Sequence, residues 1–157
     1  MNTQRRQLLR SLQRAVFFAG IAGATIATPA HAFPFMRPAV QKPDAAEFGL
    51  GPRQSANRAY TVVLRPIEPL RLRKLQTVRM LVLDAGGRPV EGARISVDGG
   101  MPEHAHGLPT QPRVERSLGG GMYDIEGLRF SMGGWWELKL SIEAAGGADR
   151  VTFNLTL

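Results

Sequence analysis

Between Trp135 and Leu157 the apolar residues fall at every second position, a period that leaves little room for anything but extended chain. Trp136, Leu138, Leu140 and Ile142 point one way while Trp135, Glu137, Lys139, Ser141 and Glu143 point the other. Past the Gly146-Gly147 turn, Val151, Phe153, Leu155 and Leu157 stand opposite Thr152, Asn154 and Thr156. A helix would spread these residues around its axis, whereas a strand sends alternate side chains to opposite faces. Two such segments joined by a glycine turn make a hairpin with one apolar face, and that face needs more sheet to cover it.

The pattern recurs upstream. Tyr60, Val62 and Leu64 alternate with smaller or polar partners, and Thr77 to Leu83 is a β-branched and apolar run closed by Asp84-Ala85-Gly86-Gly87. Ala93, Ile95 and Val97 alternate with Arg94, Ser96 and Asp98. A short run around Val114 and a Gly119-Gly120-Gly121 turn follow, then Tyr123 and Ile125, then Leu128, Phe130 and Met132. There is no internal repeat and no amphipathic helix. The spacing predicts an all-β fold, an antiparallel immunoglobulin-like β-sandwich of about seven strands, with a small barrel as the alternative.

The sheet pattern begins well inside the chain. Arg5, Arg6, Arg10 and Arg14 form a basic start, Ala15 to Ala27 is apolar and uncharged, and Ala30-His31-Ala32 is a small-x-small cleavage site, so residues 1–32 read as a signal peptide. The protein is then expected to be periplasmic or secreted. Gln4-Arg5-Arg6-Gln7-Leu8-Leu9-Arg10 resembles a twin-arginine signal, and an ordinary Sec signal fits equally. A bilayer needs about 20 apolar residues, so no membrane-spanning segment is expected after cleavage. Residues 33–57, with Pro34, Pro38, Pro43 and Pro52 and no sustained period, read as a flexible leader, and 58–157 as the one folded domain.

Charge and cysteine content narrow the partners. The full chain has 20 basic and 13 acidic residues, but without the four signal arginines 16 face 13, a net of +3. The remaining cations are scattered, apart from Arg71-Leu72-Arg73-Lys74, and no aromatics interleave with them, so nucleic acid is not an expected partner. With no cysteine, thiolate metal sites and thiol catalysis are excluded. Any metal must bind through nitrogen, thioether or oxygen.

The exported part has two histidines, and both lie in Met101-Pro102-Glu103-His104-Ala105-His106-Gly107. In extended backbone a His-x-His pair sends both rings to one face, which is half of a metal site. Met101 adds a soft thioether that, with imidazole, favours copper. The segment connects the Ile95 and Val114 strands, in a loop whose Gly99, Gly100, Gly107, Pro102, Pro109 and Pro112 fix its path. The same residues also fit a tight crossover with both imidazoles bonded to backbone carbonyls. Met101 also fits as a loop anchor against Trp135, whose ring points to the wet face and needs cover. Met132 continues the Leu128 and Phe130 alternation and reads as a core methionine, and Glu103 as a solvated charge or a partner to a ligand.

The segments Gly99-Gly100-Met101-Pro102-Glu103-His104-Ala105-His106-Gly107-Leu108-Pro109-Thr110, Pro112-Arg113-Val114, Gly121-Met122-Tyr123 and Gly127-Leu128-Arg129-Phe130-Ser131-Met132-Gly133-Gly134-Trp135-Trp136 resemble the YtkA-like domain family, related to FixH-type proteins. The likeness runs from about Tyr60 to Leu157. It implies a small exported or membrane-tethered β-sandwich of a kind found with copper handling and respiratory-oxidase assembly. It also implies Met132 as a further ligand beside Met101, His104 and His106, and a copper-accepting or copper-donating periplasmic partner. Relatives often carry another His just before the second strand, where this chain has Gln76.

No Gly-x-Ser-x-Gly elbow or phosphate-binding loop is present, and the glycine runs sit between strands without a following helix. The expectation is a binding protein and not an enzyme. Its first form is a copper-binding module; its second is a metal-free periplasmic interaction domain in which the loop and Trp135 form the docking surface.

Overall fold

The structure, a computed structural model, describes residues 39–157. The expected signal peptide and residues 33–38 of the expected leader lie outside the described residues. Nine strands are present among the described residues: β1 (Arg53–Gln54), β2 (Tyr60–Pro66), β3 (Gln76–Asp84), β4 (Arg94–Met101), β5 (His106–Gly107), β6 (Arg113–Gly119), β7 (Met122–Leu128), β8 (Trp135–Ala144) and β9 (Gly147–Thr156). They pair antiparallel in the order β1-β2-β3-β7-β6-β4-β8-β9, with β5 attached to β4. The all-β antiparallel class read from the alternation is the one found. The count is nine instead of about seven because β1 and β5 have two residues each, too few to leave a period-two trace.

The strands form one sheet that curls until its edges meet, so the architecture is close to a barrel. Gly49 N–H donates to the Asn154 carbonyl at 2.9 Å and Ala56 N–H to the Arg150 carbonyl at 2.8 Å, and Phe48 bridges to Asn154. These contacts are made by residues 44–57, within the stretch whose composition marks a flexible leader. From the 3-10 turn Ala45–Glu47 onward that stretch is built into the fold: β1 pairs with β2, Leu50 packs on the core, and Ser55 is buried with its Oγ accepting Tyr60 N–H. An open edge on β9 offers a row of unpaired backbone groups. Any backbone can pair with them whatever its side chains, so prolines and missing periodicity give no notice of it.

The barrel interior is filled by the inward faces of β2, β3, β7, β8 and β9. Val62, Met80, Val82, Ile125, Trp136 and Phe153 have no exposed surface, and each large apolar side chain so buried contributes about 1.5–3 kcal/mol. β8 follows its predicted alternation, with Leu138, Leu140 and Ile142 buried and Lys139, Ser141 and Glu143 exposed. β7 stops at Leu128, yet the alternation continues through exposed Arg129 to Phe130, which is buried in the core and bridged to Leu72, and fails only at Met132.

Neighbouring strands run in opposite directions, so the connections fall into two sets. Residues 55–59, 85–93, 120–121 and 145–146 lie at one end, the turn end. Residues 67–75, 102–105 and 129–134 lie at the other with Leu157, the histidine end.

Candidate metal site

At the histidine end β4 is wedged between β8 and β5. Gly99 pairs with Leu138 and Gly100 with both Glu137 and Gly107. A Cβ at Gly100 would run into the His106 carbonyl, and one at Gly99 into the Glu137 carbonyl. Only glycine permits three strands to approach this closely. Pro102 then opens a 3-10 turn, Pro102–His104, and Ala105 closes it in the left-handed region at φ 53°, so that His106 returns opposite Met101. Left-handed backbone in a residue with a Cβ costs on the order of 1 kcal/mol.

The segment is therefore a turn and not the extended run expected from the His-x-His spacing. The reversal at Ala105 still brings both rings together: their centres are 6.0 Å apart and their planes differ by 34°. Both histidines are exposed. The His106 ring meets Trp136 edge-on at 5.7 Å, and Trp136 meets Phe130 edge-on at 5.2 Å. Trp136 is held by its indole N–H, which donates to the Met132 carbonyl at 3.0 Å. An aromatic column thus runs from the core to the surface pair. His106 Nδ1 lies 3.0 Å from the Gly107 carbonyl. A carbonyl only accepts, so Nδ1 carries the proton in the neutral ring and Nε2 keeps its lone pair.

The two methionines occupy different settings. Met101, the cross-strand partner of His106, is 1% exposed and belongs to the core, where its methyl fills the space that a side chain at Gly134 would need. Cross-strand partners share a face, so the Met101 thioether lies on the His106 side of the sheet but beneath the surface. Met132, which reads as a core residue in the sequence, is 40% exposed. Its loop, past Gly127 at φ 79°, no longer follows the β7 alternation.

Trp135 is covered, but not by Met101. Phe48 lies against it with ring centres 6.5 Å apart, and its indole N–H donates to Asn154 Oδ1 at 3.0 Å. The need for cover was visible in the sequence; its source in the leader was not. Trp135 is 2% exposed, which removes it from any docking surface. Gln76, about where the family resemblance implies a further His, has its Oε1 accepting the Arg71 N–H and braces the 67–75 loop. Its Nε2 is buried without a partner among the described residues. Glu103 is exposed at the turn.

A shallow depression of about 210 Å³ at the hairpin is lined by His106 and Ala105 together with Asp98, Glu137 and Lys139. Its charged groups are already engaged: Lys139 pairs with Glu137 at 2.8 Å and Asp98 Oδ1 accepts Gly99 N–H at 2.7 Å. Among the described residues no three His, Asp or Glu side chains converge on one point. The donors that come together are two imidazoles, with one exposed and one buried thioether on the adjoining segments. The rings beneath them are those of Phe130 and Trp136, which the sequence pattern marks only as core positions and whose support of the pair has no sequence signal.

Among the described residues no helix is long and apolar enough to cross a membrane. No curated protein matches the sequence. The ZirS C-terminal domain is a similar solved structure, at 15% identity over 85% of this chain and 88% of that one, with a TM-score of 0.40. The family model for YtkA-like proteins matches residues 54–141, more than half of the sequence, and with it the glycine-flanked histidine hairpin and the paired tryptophans: the chain belongs to the YtkA-like family.

Proposed function

We propose that the protein is an exported copper-binding module that holds Cu(I) between His104 and His106 and exchanges it with a partner protein, as a copper chaperone or an accessory in respiratory-oxidase assembly. The observation that carries this reading is the spacing of the two exposed rings, 6.0 Å between centres. With metal–imidazole bonds of about 2.0 Å, two rings sharing one ion at a wide angle have centres about 6 Å apart. Cu(I) accepts few, soft donors, whereas zinc usually demands four. His106 would bind through Nε2, oriented by its Nδ1–H to Gly107, the arrangement that fixes ring and tautomer in metal-binding histidines. Met132 is the thioether available at the surface. Met101 would need a local shift to reach an ion, so its first role is to pack beneath His106. An exposed two-imidazole set favours transfer over storage, because a partner can approach the ion directly. We read the protein as a binder and not as an enzyme.

The test is a Cu(I) titration against a chromophoric chelator, comparing wild type with His104→Ala/His106→Ala, and repeated with zinc as competitor. The expected result is one equivalent of copper taken up by the wild type and lost in the variant, with β-sheet dichroism and Tm unchanged. Equal uptake by both proteins would reject the reading. The second reading, a metal-free interaction domain, draws on the small donor set. It predicts no copper uptake by either protein and a lower Tm in the variant.

A further inference from the structure

We propose that the histidine end carries a docking surface for anionic phospholipid, formed by the 67–75 loop together with Met132. Four of the seven large apolar residues exposed among the described residues are here: Ile67 at 55%, Leu72 at 40%, Leu75 at 70% and Met132 at 40%. Exposed apolar residues scattered singly are ordinary, but grouped ones mark a contact surface.

The group is held together by backbone. Leu72 bridges to Phe130, and Phe130 carbonyl accepts Arg73 N–H at 2.7 Å, with Arg73 itself in the left-handed region at φ 63°. Ile67 N–H donates to the Thr77 carbonyl at 3.3 Å, and Gln76 braces Arg71 from within. The loop is thus fixed in a shape that turns Lys74 and Leu75 outward, so little ordering entropy is lost on contact.

Charge selects the occupant. Arg65, Arg71, Arg73, Lys74 and Arg129 lie on the elements that reach this end, against Glu68 and Glu103, and none of those five cations takes part in an ion pair among the described residues. At the turn end Arg88 and Arg94 are paired and Arg58 and Arg150 are not, so the histidine end holds the larger group of unpaired cations, and it alone sets them around a cluster of exposed apolar side chains. A groove of about 460 Å³ in the loop has Ile67, Pro69 and Leu75 in its walls with Arg71 and Lys74 beside them. Apolar side chains flanked by unpaired cations are what an interfacial anchor presents: the first enter the acyl boundary while the second meet lipid phosphates. The surface adjoins the imidazole pair but does not depend on copper, so it can be tested with metal-free protein.

Because the chain has no cysteine, a polarity-sensitive dye can be placed at one position. Leu75→Cys labels the loop, and Ala85→Cys labels an exposed turn at the opposite end. With phosphatidylglycerol vesicles and metal-free full chain, the emission from position 75 should shift to the blue and that from position 85 should not. Phosphatidylcholine vesicles should give no shift. Adding Arg71→Glu/Lys74→Glu should raise the lipid needed for half the shift by at least tenfold, and salt should weaken binding in the wild type. The labelled loop reports its own insertion, whatever residues 1–38 do at the vesicle. No shift at position 75, equal shifts at positions 75 and 85, or an equal shift on phosphatidylcholine would each overturn the proposal. So would a shift produced by an acidic peptide while vesicles produce none.

Discussion

The turn end and the histidine end are built from the same strands by different rules. At the turn end every connection is tied by a side chain. Asp84 accepts the N–H groups of Gly86 and Arg88, Glu91 accepts that of Gly121, and Asp149 accepts those of Asn57, Ala59 and Arg150. Tyr123 hydroxyl accepts Ala93 N–H at 3.0 Å and donates to the Val90 carbonyl at 2.8 Å. Arg88 and Arg94 are ion-paired there while Arg58 and Arg150 are not, and the exposed large apolar groups are Leu118 and Met122. At the histidine end a group of cations is unpaired, apolar side chains are exposed together, and two exposed imidazoles stand above an aromatic column. Satisfied groups stabilise a fold, and groups left without protein partners are the ones free to bind something else. The difference marks one end as foundation and, on the reading proposed above, the other as the binding surface.

The sharpest attack on that division is Trp136→Ala, because Trp136 belongs to both: it fills the core and supports His106. Removing a buried aromatic costs about 3–5 kcal/mol, so we expect a large drop in the denaturant midpoint together with weakened copper uptake. A stable variant would place the column outside the core. Next in size is Tyr123→Phe, which keeps the ring and removes both hydrogen bonds. The expected loss is about 1–2 kcal/mol in chemical denaturation, and an unchanged midpoint would show that the turn end does not rely on its braces.

Acid should also act through the turn end. The Asp149 carboxyl is held below its ordinary range by the Ser55 hydroxyl and by the backbone N–H groups of Arg150, Asn57 and Ala59. That of Asp84 is lowered by the N–H and guanidinium of Arg88 and by Gly86. A folded pKa below the unfolded one gives stability that is complete above the unfolded value, about 3.9, and disappears as pH falls through the folded value. Melting curves from pH 6 to pH 2 should show this loss, and Asp149→Asn should flatten it; an equally steep acid limb in the variant would count against the assignment. The smallest effect belongs to Leu75→Asp, an exposed change at the histidine end that should move stability by no more than about 0.5 kcal/mol. A larger fall in Tm would mean the loop is structural.

The turn end was far more legible in sequence than the histidine end. Asp84-Ala85-Gly86-Gly87 and Gly146-Gly147 announce tight turns because their chemistry is local, and the strands between them announce themselves by period two. The histidine pair was visible as a pair, yet its geometry was not. Extended chain predicts a shared face from alternation, whereas the rings converge through the left-handed turn at Ala105, which no residue preference at alanine forecasts. Met132 and Met101 exchanged settings for a similar reason: the end of β7 at Leu128 depends on pairing with β3 and β6, which is information held elsewhere in the chain. The closure of the barrel by residues 44–57 leaves no trace in the sequence because backbone hydrogen bonding carries it. Ala105→Gly offers a check on this point. It should be neutral or slightly stabilising, by up to about 1 kcal/mol, if the left-handed turn is real.

The central claim is that the imidazole pair at the histidine end is where a soft ion is held. Side-chain NMR of the wild type during Cu(I) addition tests it most directly. We expect the His104 and His106 ring signals to shift together and saturate at one equivalent, with the Trp136 indole N–H and the Met132 methyl responding beside them and the Tyr123 ring unmoved. Ring signals that stay in place at one equivalent of copper, or shifts centred on the turn end, would contradict it.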